Sequence, residues 1–239
     1  GISHRRPHHQ RLPTRSEKTM IHVFCGYDPR EAIGWHCFVS SLLRRASKHV
    51  AIHRLDACGL PQGSNEFTMS RFLVPYMMGF KGRAIFFDAA DMICLADVAE
   101  LDALFDDRYA VQVVKHDYIT MNTTKYVGTK MECPNRDYNR KNWASAMLVN
   151  CGHDAWRCCT PEFLVSRKPI EMLTFEHMYD HHIGSLPNEW NRIVDEDQPL
   201  EGAKIVHWSS GLPAFPRYMN APGADLWRAE RHLVMDLPI

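Results

Sequence analysis

Two carboxylates close an apolar run in RAIFFDAADMICLAD, residues 83–97. Asp88 directly follows Ala84–Phe87, and Asp91 comes after two alanines. Acids placed so close repel each other, and one of the two tends to keep its proton. A divalent cation removes that penalty. Few carboxylates plus the phosphate oxygens of a substrate is the usual way magnesium or manganese is held. A cap or turn role for Asp88, with Asp91 solvated, suits the same spacing, and spacing alone leaves both readings open.

Other residue types invite a polyhydroxy ligand. Asn150 and Gly152 end an apolar segment: an amide can donate to and accept from sugar hydroxyls, and a glycine lets a ligand approach the backbone. Glu189, Trp190 and Asn191 combine polar groups with a flat ring, as carbohydrate sites do, although a turn with Trp190 in the core explains them as well. The methionines read as core filler.

These groups need elements to hold them. IHVFC (21–25) reads as a buried strand ended by Gly26. Ile33, Trp35, Phe38, Val39, Leu42 and Leu43 recur at helical spacing, predicting an amphipathic helix over 30–45. Strands are expected at 51–55, 83–88, 109–115, 143–152 and 204–208. Helices are expected at 67–80 (with Pro75 kinking it), 96–105 and 171–182. The alternation predicts an α/β fold with a mostly parallel central sheet, Rossmann-like. In such sheets ligands bind beyond the carboxyl ends of the strands, where Asp88 and Asp91, and Gly26-Tyr27-Asp28, would stand. The polar stretch 117–142 reads as a long functional or mobile loop. One domain over 20–239, elaborated in its C-terminal half, accounts for the pattern. Residues 1–19, basic and rich in histidine, read as a flexible arm or an expression remnant.

Composition narrows the function classes. Lys plus Arg and Asp plus Glu both number 28, so no net field argues for nucleic acid. No apolar run approaches the roughly 18 residues of a transmembrane helix, and no apolar h-region marks a secretory leader. The expectation is a cytoplasmic protein, with peripheral association at a membrane's inner face left open. Eight cysteines without a CxxC pair read as reduced thiols, and the 14 histidines lack zinc spacing.

From residue 21 to 218 the chain resembles the nucleotide-sugar glycosyltransferases of the GT-A fold, closest to the family 8 type and its bacterial relatives. HVFCGYDPREAIGWHCFVSSLLRR resembles that family's opening strand, base-binding turn and first helix. GSNEFTMSRFLVPYM resembles its arginine-bearing helix, and FFDAADMICLADVAEL its strand and acid pair. WASAMLVNCG, YDHHIGSLPNEWN and KIVHWSSGLP resemble three later landmarks, in the same order.

The resemblance implies transfer of a sugar from a nucleotide-diphosphate donor, a UDP-sugar favoured, to a glycan or small-molecule acceptor. It also implies retention of anomeric configuration and a role in bacterial polysaccharide assembly. Asp88, Asp91 and His207 would hold Mn2+ or Mg2+ on the diphosphate. Gly26, Tyr27, Asp28, Arg71, Asn150, Gly152 and Gly211 would bind the donor, with Asp91, Arg71 and Asp180 catalytic. Two departures stand out. The acid pair is one residue longer than the family's Asp-x-Asp, so Asp88 must reach through a bulge or yield its role. The Lys-Pro after the late glycine is replaced by Leu212-Pro213, leaving Arg217, Arg71 or Lys115 to supply a cation for the leaving diphosphate. The alternatives are an inactive nucleotide-sugar-binding or scaffold protein of the same fold, and a nucleotidyltransferase. The latter lacks the glycine-rich basic loop it would need.

Overall fold

A computed structural model describes residues 20–196 and 198–235; the expected basic arm lies outside the described residues. The first apolar run forms β1 (Ile21–Gly26), which pairs in parallel with β2 (Val50–Leu55) and β3 (Arg83–Phe87). Between β1 and β2 runs α1 (Ala32–Arg45), burying Gly34, Cys37, Phe38, Ser41 and Leu42. The sheet continues through β8 (Ala146–Asn150), β5 (Val111–Val113) and β9 (Ile183–Ser185), in the order β2-β1-β3-β8-β5-β9. Strand β8 is antiparallel to both neighbours, and the remaining adjacent pairs are parallel. Along β3, Phe86 joins one core layer while Ile85 and Phe87 join the other. Both faces of the sheet are therefore covered, which is why this strand reads as an unbroken apolar run.

A second, small sheet orders β10 (Arg192–Ile193), β11 (Ile205–His207) and β4 (Met92–Cys94). It is covered by α6 (Ala224–Met235), whose Trp227 packs with Cys37, Ile93, Val206 and Trp208.

Several expected elements are shorter than their apolar patterns. Residues 67–80 form a 3₁₀ turn (Ser70–Leu73) and then α2 (Val74–Met77); Gly79 and Phe80, both at positive φ, end it. The helix expected at 96–105 is α3 (Val98–Asp102), with Asp97 capping its first turn. After α4 (Pro161–Val165), the helix expected at 171–182 is only α5 (Pro169–Leu173). Phe175 has φ +54°, which no α-helix admits, so Asp180–His182 becomes a separate 3₁₀ turn.

The stretch 117–142 is tied down. It contains a hairpin of β6 (Thr124–Lys125) and β7 (Cys133–Pro134). The Met121 amide donates to Glu196 Oε2 (2.7 Å) and the Tyr126 amide to Ser210 O (2.7 Å).

Candidate active site

Strand β3 leaves the main sheet at Phe87, and β4 enters the small one at Met92. The four residues between them are the acid turn. Ala89 takes φ +65°, Ala90 N donates to Asp88 O (2.7 Å) and Met92 N to Ala89 O (3.1 Å). This left-handed step absorbs the extra residue and folds Asp88 back toward Asp91. Helix α1 crosses so near that a Cβ on Gly34 would lie 1.8 Å from Ala90 O. Only glycine permits that approach.

Strand β11 lies antiparallel to β4 with His207 opposite Met92, and Trp208 N donates to Asp91 O (2.9 Å). His207 Nε2 therefore stands 3.4 Å from Asp91 Oδ2. Asp88, Asp91 and His207 are all buried, and each offers one ligand atom within 4.8 Å of the other two. Asp91 Oδ1 is buried without a hydrogen-bond partner. Leaving such an oxygen unpaired costs about 1–3 kcal/mol or more, and a bound cation would satisfy it.

The imidazole is held from behind. Ser145 Oγ donates to Asn142 O (2.7 Å), so it accepts from Asn191 Nδ2 (2.8 Å), which turns Asn191 Oδ1 toward His207 Nδ1 (2.9 Å). Nδ1 thus carries a proton, and Nε2 faces the acids. Burial works against a charged imidazole, but Asp91 beside it holds His207 above its ordinary range. In the free protein Nε2 therefore also carries a proton toward Asp91, one that a bound cation would displace. Support of a ligating imidazole by a second residue is the usual arrangement in metal sites.

Arg71, buried, places Nη1 2.6 Å from Asp88 Oδ1 and also donates to Thr68 O (3.0 Å) and Ala144 O (2.9 Å). Burial pushes the Asp88 carboxyl up to about 6, against the pull of Arg71. Burial also works against ionised Asp91, yet His207 beside it holds its carboxyl below the usual range. The buried Glu31 nearby has its carboxyl pushed well above that range, by burial first and by Asp91 second.

The trio opens into a cleft of ≈ 250 Å³, also lined by Arg71, Lys125, Tyr126, Tyr138 and, on an apolar wall, Ile170 and Leu173. Sequence reasoning missed Lys125, Glu31 and Ser145. No periodic pattern surrounds Lys125 in its polar stretch, so nothing local singled it out.

Other expected residues fall elsewhere. Asn150 and Gly152 follow an antiparallel strand: Asn150 pairs with Arg83 and Ala146 with Phe87, so they sit at the opposite end of the sheet from the acids. Asn150 Nδ2 donates there to Asp107 O (3.1 Å). Asp180 is exposed on its 3₁₀ turn and pairs with Arg140. Trp190 is core, Asn191 is 0 % exposed behind His207, and Glu189 lies outside the cleft. Asp28 is likewise 0 % exposed, its carboxylate filled by Arg30 and the Glu66 amide.

Gly26 packs its backbone on the Phe67 ring. Tyr27 is half-buried beneath the Arg54 guanidinium, 4.8 Å from the ring centroid. Neither lines the cleft. Gly211 turns the chain after Trp208, against the Tyr218 ring. Of the expected cations, Lys115 is bound to Ile183 O (2.8 Å) and Arg217 is exposed.

No family model matches the chain. Its fold is similar to that of the galactosyltransferase LgtC, solved with donor and acceptor sugar analogues (TM-score 0.59, 11% identity, 91% of this chain and 98% of that one). It is also similar to the glycosyltransferase GlyE of Streptococcus pneumoniae TIGR4 (TM-score 0.61, 16% identity, 91% of this chain) and the bifunctional glycosyltransferase WbbM (0.59, 13%, 88%). It spans 61% of GlyE and 51% of WbbM. Among the described residues no helix is long and apolar enough to cross a membrane. In sequence the chain is 36% identical to Protein CDI of Arabidopsis thaliana, over 90% of its own length and 87% of the plant protein's. With the GT-A glycosyltransferase fold and that degree of identity, the chain belongs to the family of Protein CDI.

Proposed function

We propose that the chain is a metal-dependent glycosyltransferase. It would move a sugar from a nucleotide-diphosphate donor, a UDP-sugar favoured, to a glycan or other acceptor, with retention at the anomeric carbon. The observation that carries this reading is the buried, unpartnered Asp91 Oδ1 beside Asp88 and His207 in a cleft of a GT-A fold.

Two carboxylates and one imidazole form a donor set that suits Mn2+, and Mg2+ is the hard-oxygen alternative. Bound by Asp88, Asp91 and His207, such a cation would act as a Lewis acid on the diphosphate, worth several kcal/mol. The protein's own groups do the positioning. Asn191 fixes the His207 tautomer, and Arg71 holds Asp88 against the sheet end. Ile170 and Leu173 keep one side of the cleft apolar. Arg71 is therefore a positioning residue in this reading, and Asp180, Asn150 and Gly152 have no part in it.

A thermal-shift titration with UDP, GDP and CDP, each with and without Mn2+, tests it. A nucleotide at 100 times its Kd adds about 2.7 kcal/mol. One base should raise the melting temperature only with metal present, and Asp91→Asn should abolish that rise while keeping a native circular dichroism spectrum. No rise with any nucleotide would leave a scaffold of the same fold as the better reading.

A further inference from the structure

A donor diphosphate brings two negative charges into the cleft and departs with a third. Asp88 and Asp91 add two carboxylates, and a divalent cation balances only those. Further positive charge has to come from side chains lining the cleft. Arg71 is already committed to Asp88 and to two backbone carbonyls. His207 must be neutral to ligate a metal. Lys125 differs from both. It is half-buried, it lines the cleft, and among the described residues its side chain makes no hydrogen bond or ion pair. Its charge nonetheless acts on Asp88, Asp91 and Asp195.

The backbone around this lysine is fixed while its side chain is left free. Lys125 pairs with Cys133 across the hairpin. The next residue, Tyr126, sits at φ +56° with its amide on Ser210 O (2.7 Å) and its ring buried against Phe215. Val127 N donates to Tyr218 Oη (2.9 Å). Ser210 belongs to the loop after His207, which Asp195 holds by accepting from the amides of Ser209 (3.0 Å) and Ser210 (2.6 Å). A hairpin with two-residue strands is thereby anchored to the segment that carries the histidine ligand.

We infer that Lys125 contacts the donor diphosphate and takes up part of the charge that its departure creates. The inference rests on the donor-site reading proposed above. As the anomeric carbon–oxygen bond breaks, its electron pair stays on the diphosphate oxygen. The ammonium group donates a charge-assisted hydrogen bond there, and no proton need be transferred. The competing role is a structural one, in which Lys125 merely offsets the acid pair in the free protein.

Calorimetric titration separates the roles. UDP and GDP, then UMP, GMP and the nucleosides, are titrated into the wild-type chain, Lys125→Gln and Lys125→Arg at saturating Mn2+. The expected result is at least a ten-fold loss of diphosphate affinity in Lys125→Gln (about 1.4 kcal/mol), less than a two-fold change for the nucleosides, and recovery to within about three-fold in Lys125→Arg. Equal losses for diphosphate and nucleoside, or unchanged diphosphate affinity, would overturn the inference and leave the lysine structural. A wild-type chain that binds neither diphosphate would remove the donor site itself, and the role of Lys125 with it.

Discussion

Asn191 offers a severe test of the site, because it touches no cleft and would be dismissed as core by its burial. Replacing it with alanine removes two hydrogen bonds from a residue that is 0 % exposed. Ser145 Oγ keeps its bond to Asn142 O, so its loss is partial. His207 Nδ1 keeps nothing. A buried donor left unpaired costs about 1–3 kcal/mol, and the small void adds to that, so a stability loss of about 2–3 kcal/mol is expected by urea denaturation without metal.

The second consequence discriminates between roles. Without Asn191 Oδ1 the imidazole can turn or exchange tautomers, and Nε2 no longer faces Asp91 by default. Loss of such a supporting residue typically lowers metal affinity about 10–100-fold. Mn2+ titration followed by calorimetry or electron spin resonance reads this directly. Asn191→Asp, which keeps an acceptor for Nδ1 but loses the bond to Ser145, should bind Mn2+ more tightly than the alanine variant. If Asn191→Ala loses stability while its Mn2+ affinity stays within two-fold of wild type, the reasoning fails: His207 is then not a ligand through Nε2.

Two further perturbations probe the frame. Gly34→Ala places a methyl 1.8 Å from Ala90 O and 2.8 Å from Leu212 Cδ2, so it should cost at least the about 1–3 kcal/mol of overpacking and weaken Mn2+ binding by moving the acid turn; an unchanged urea midpoint would refute the close approach. His177 has both nitrogens buried without partners beside Phe72, Trp156 and Phe175, and burial pushes it down to about 4. Its folded pKa lies below the unfolded value of about 6.5, so the unfolded chain takes up the proton first and stability falls as pH drops from 6.5 toward 4. The contribution is about 2 kcal/mol between pH 7.5 and 5. His177→Phe should flatten the pH dependence of the urea midpoint by about that amount, and a profile parallel to wild type would contradict the burial argument.

How much of this was legible in the sequence follows from what local pattern can encode. Asp88 and Asp91 were legible as an acid pair because a polar residue ending an apolar run stands out against it, whereas the tie of His207 to them came only from the family resemblance. Asn150 and Gly152 were misplaced for the converse reason: Ala146–Val149 is buried on both faces, so its pattern carries no sign of direction. The path of 117–142 decides that β8 runs opposite to β3, and that path has no periodicity. Asn191 was noticed for the wrong role, since its partners Ser145 and His207 are 46 and 16 residues away. Beside a tryptophan it looked like a sugar contact. Lys125 was invisible because its importance lies in having no partner.

The acid turn shows how a departure from a motif can be accommodated. One extra residue between two ligands should separate them by a few ångströms if the chain stays extended. Instead Ala89 adopts a left-handed conformation that costs an L-residue about 1–2 kcal/mol. Strain of this kind persists only where the surroundings fix it, and three contacts do so: Asp88 N on Ser145 O, Trp208 N on Asp91 O, and the bare backbone of Gly34 against Ala90. Each comes from a different element, and two of them, the Ser145 segment and β11, also hold His207. The same contacts that force the turn therefore build the histidine side of the site. A turn kept strained merely to join β3 to β4 would have no need of that coupling; one that must hold two carboxylates beside an imidazole does.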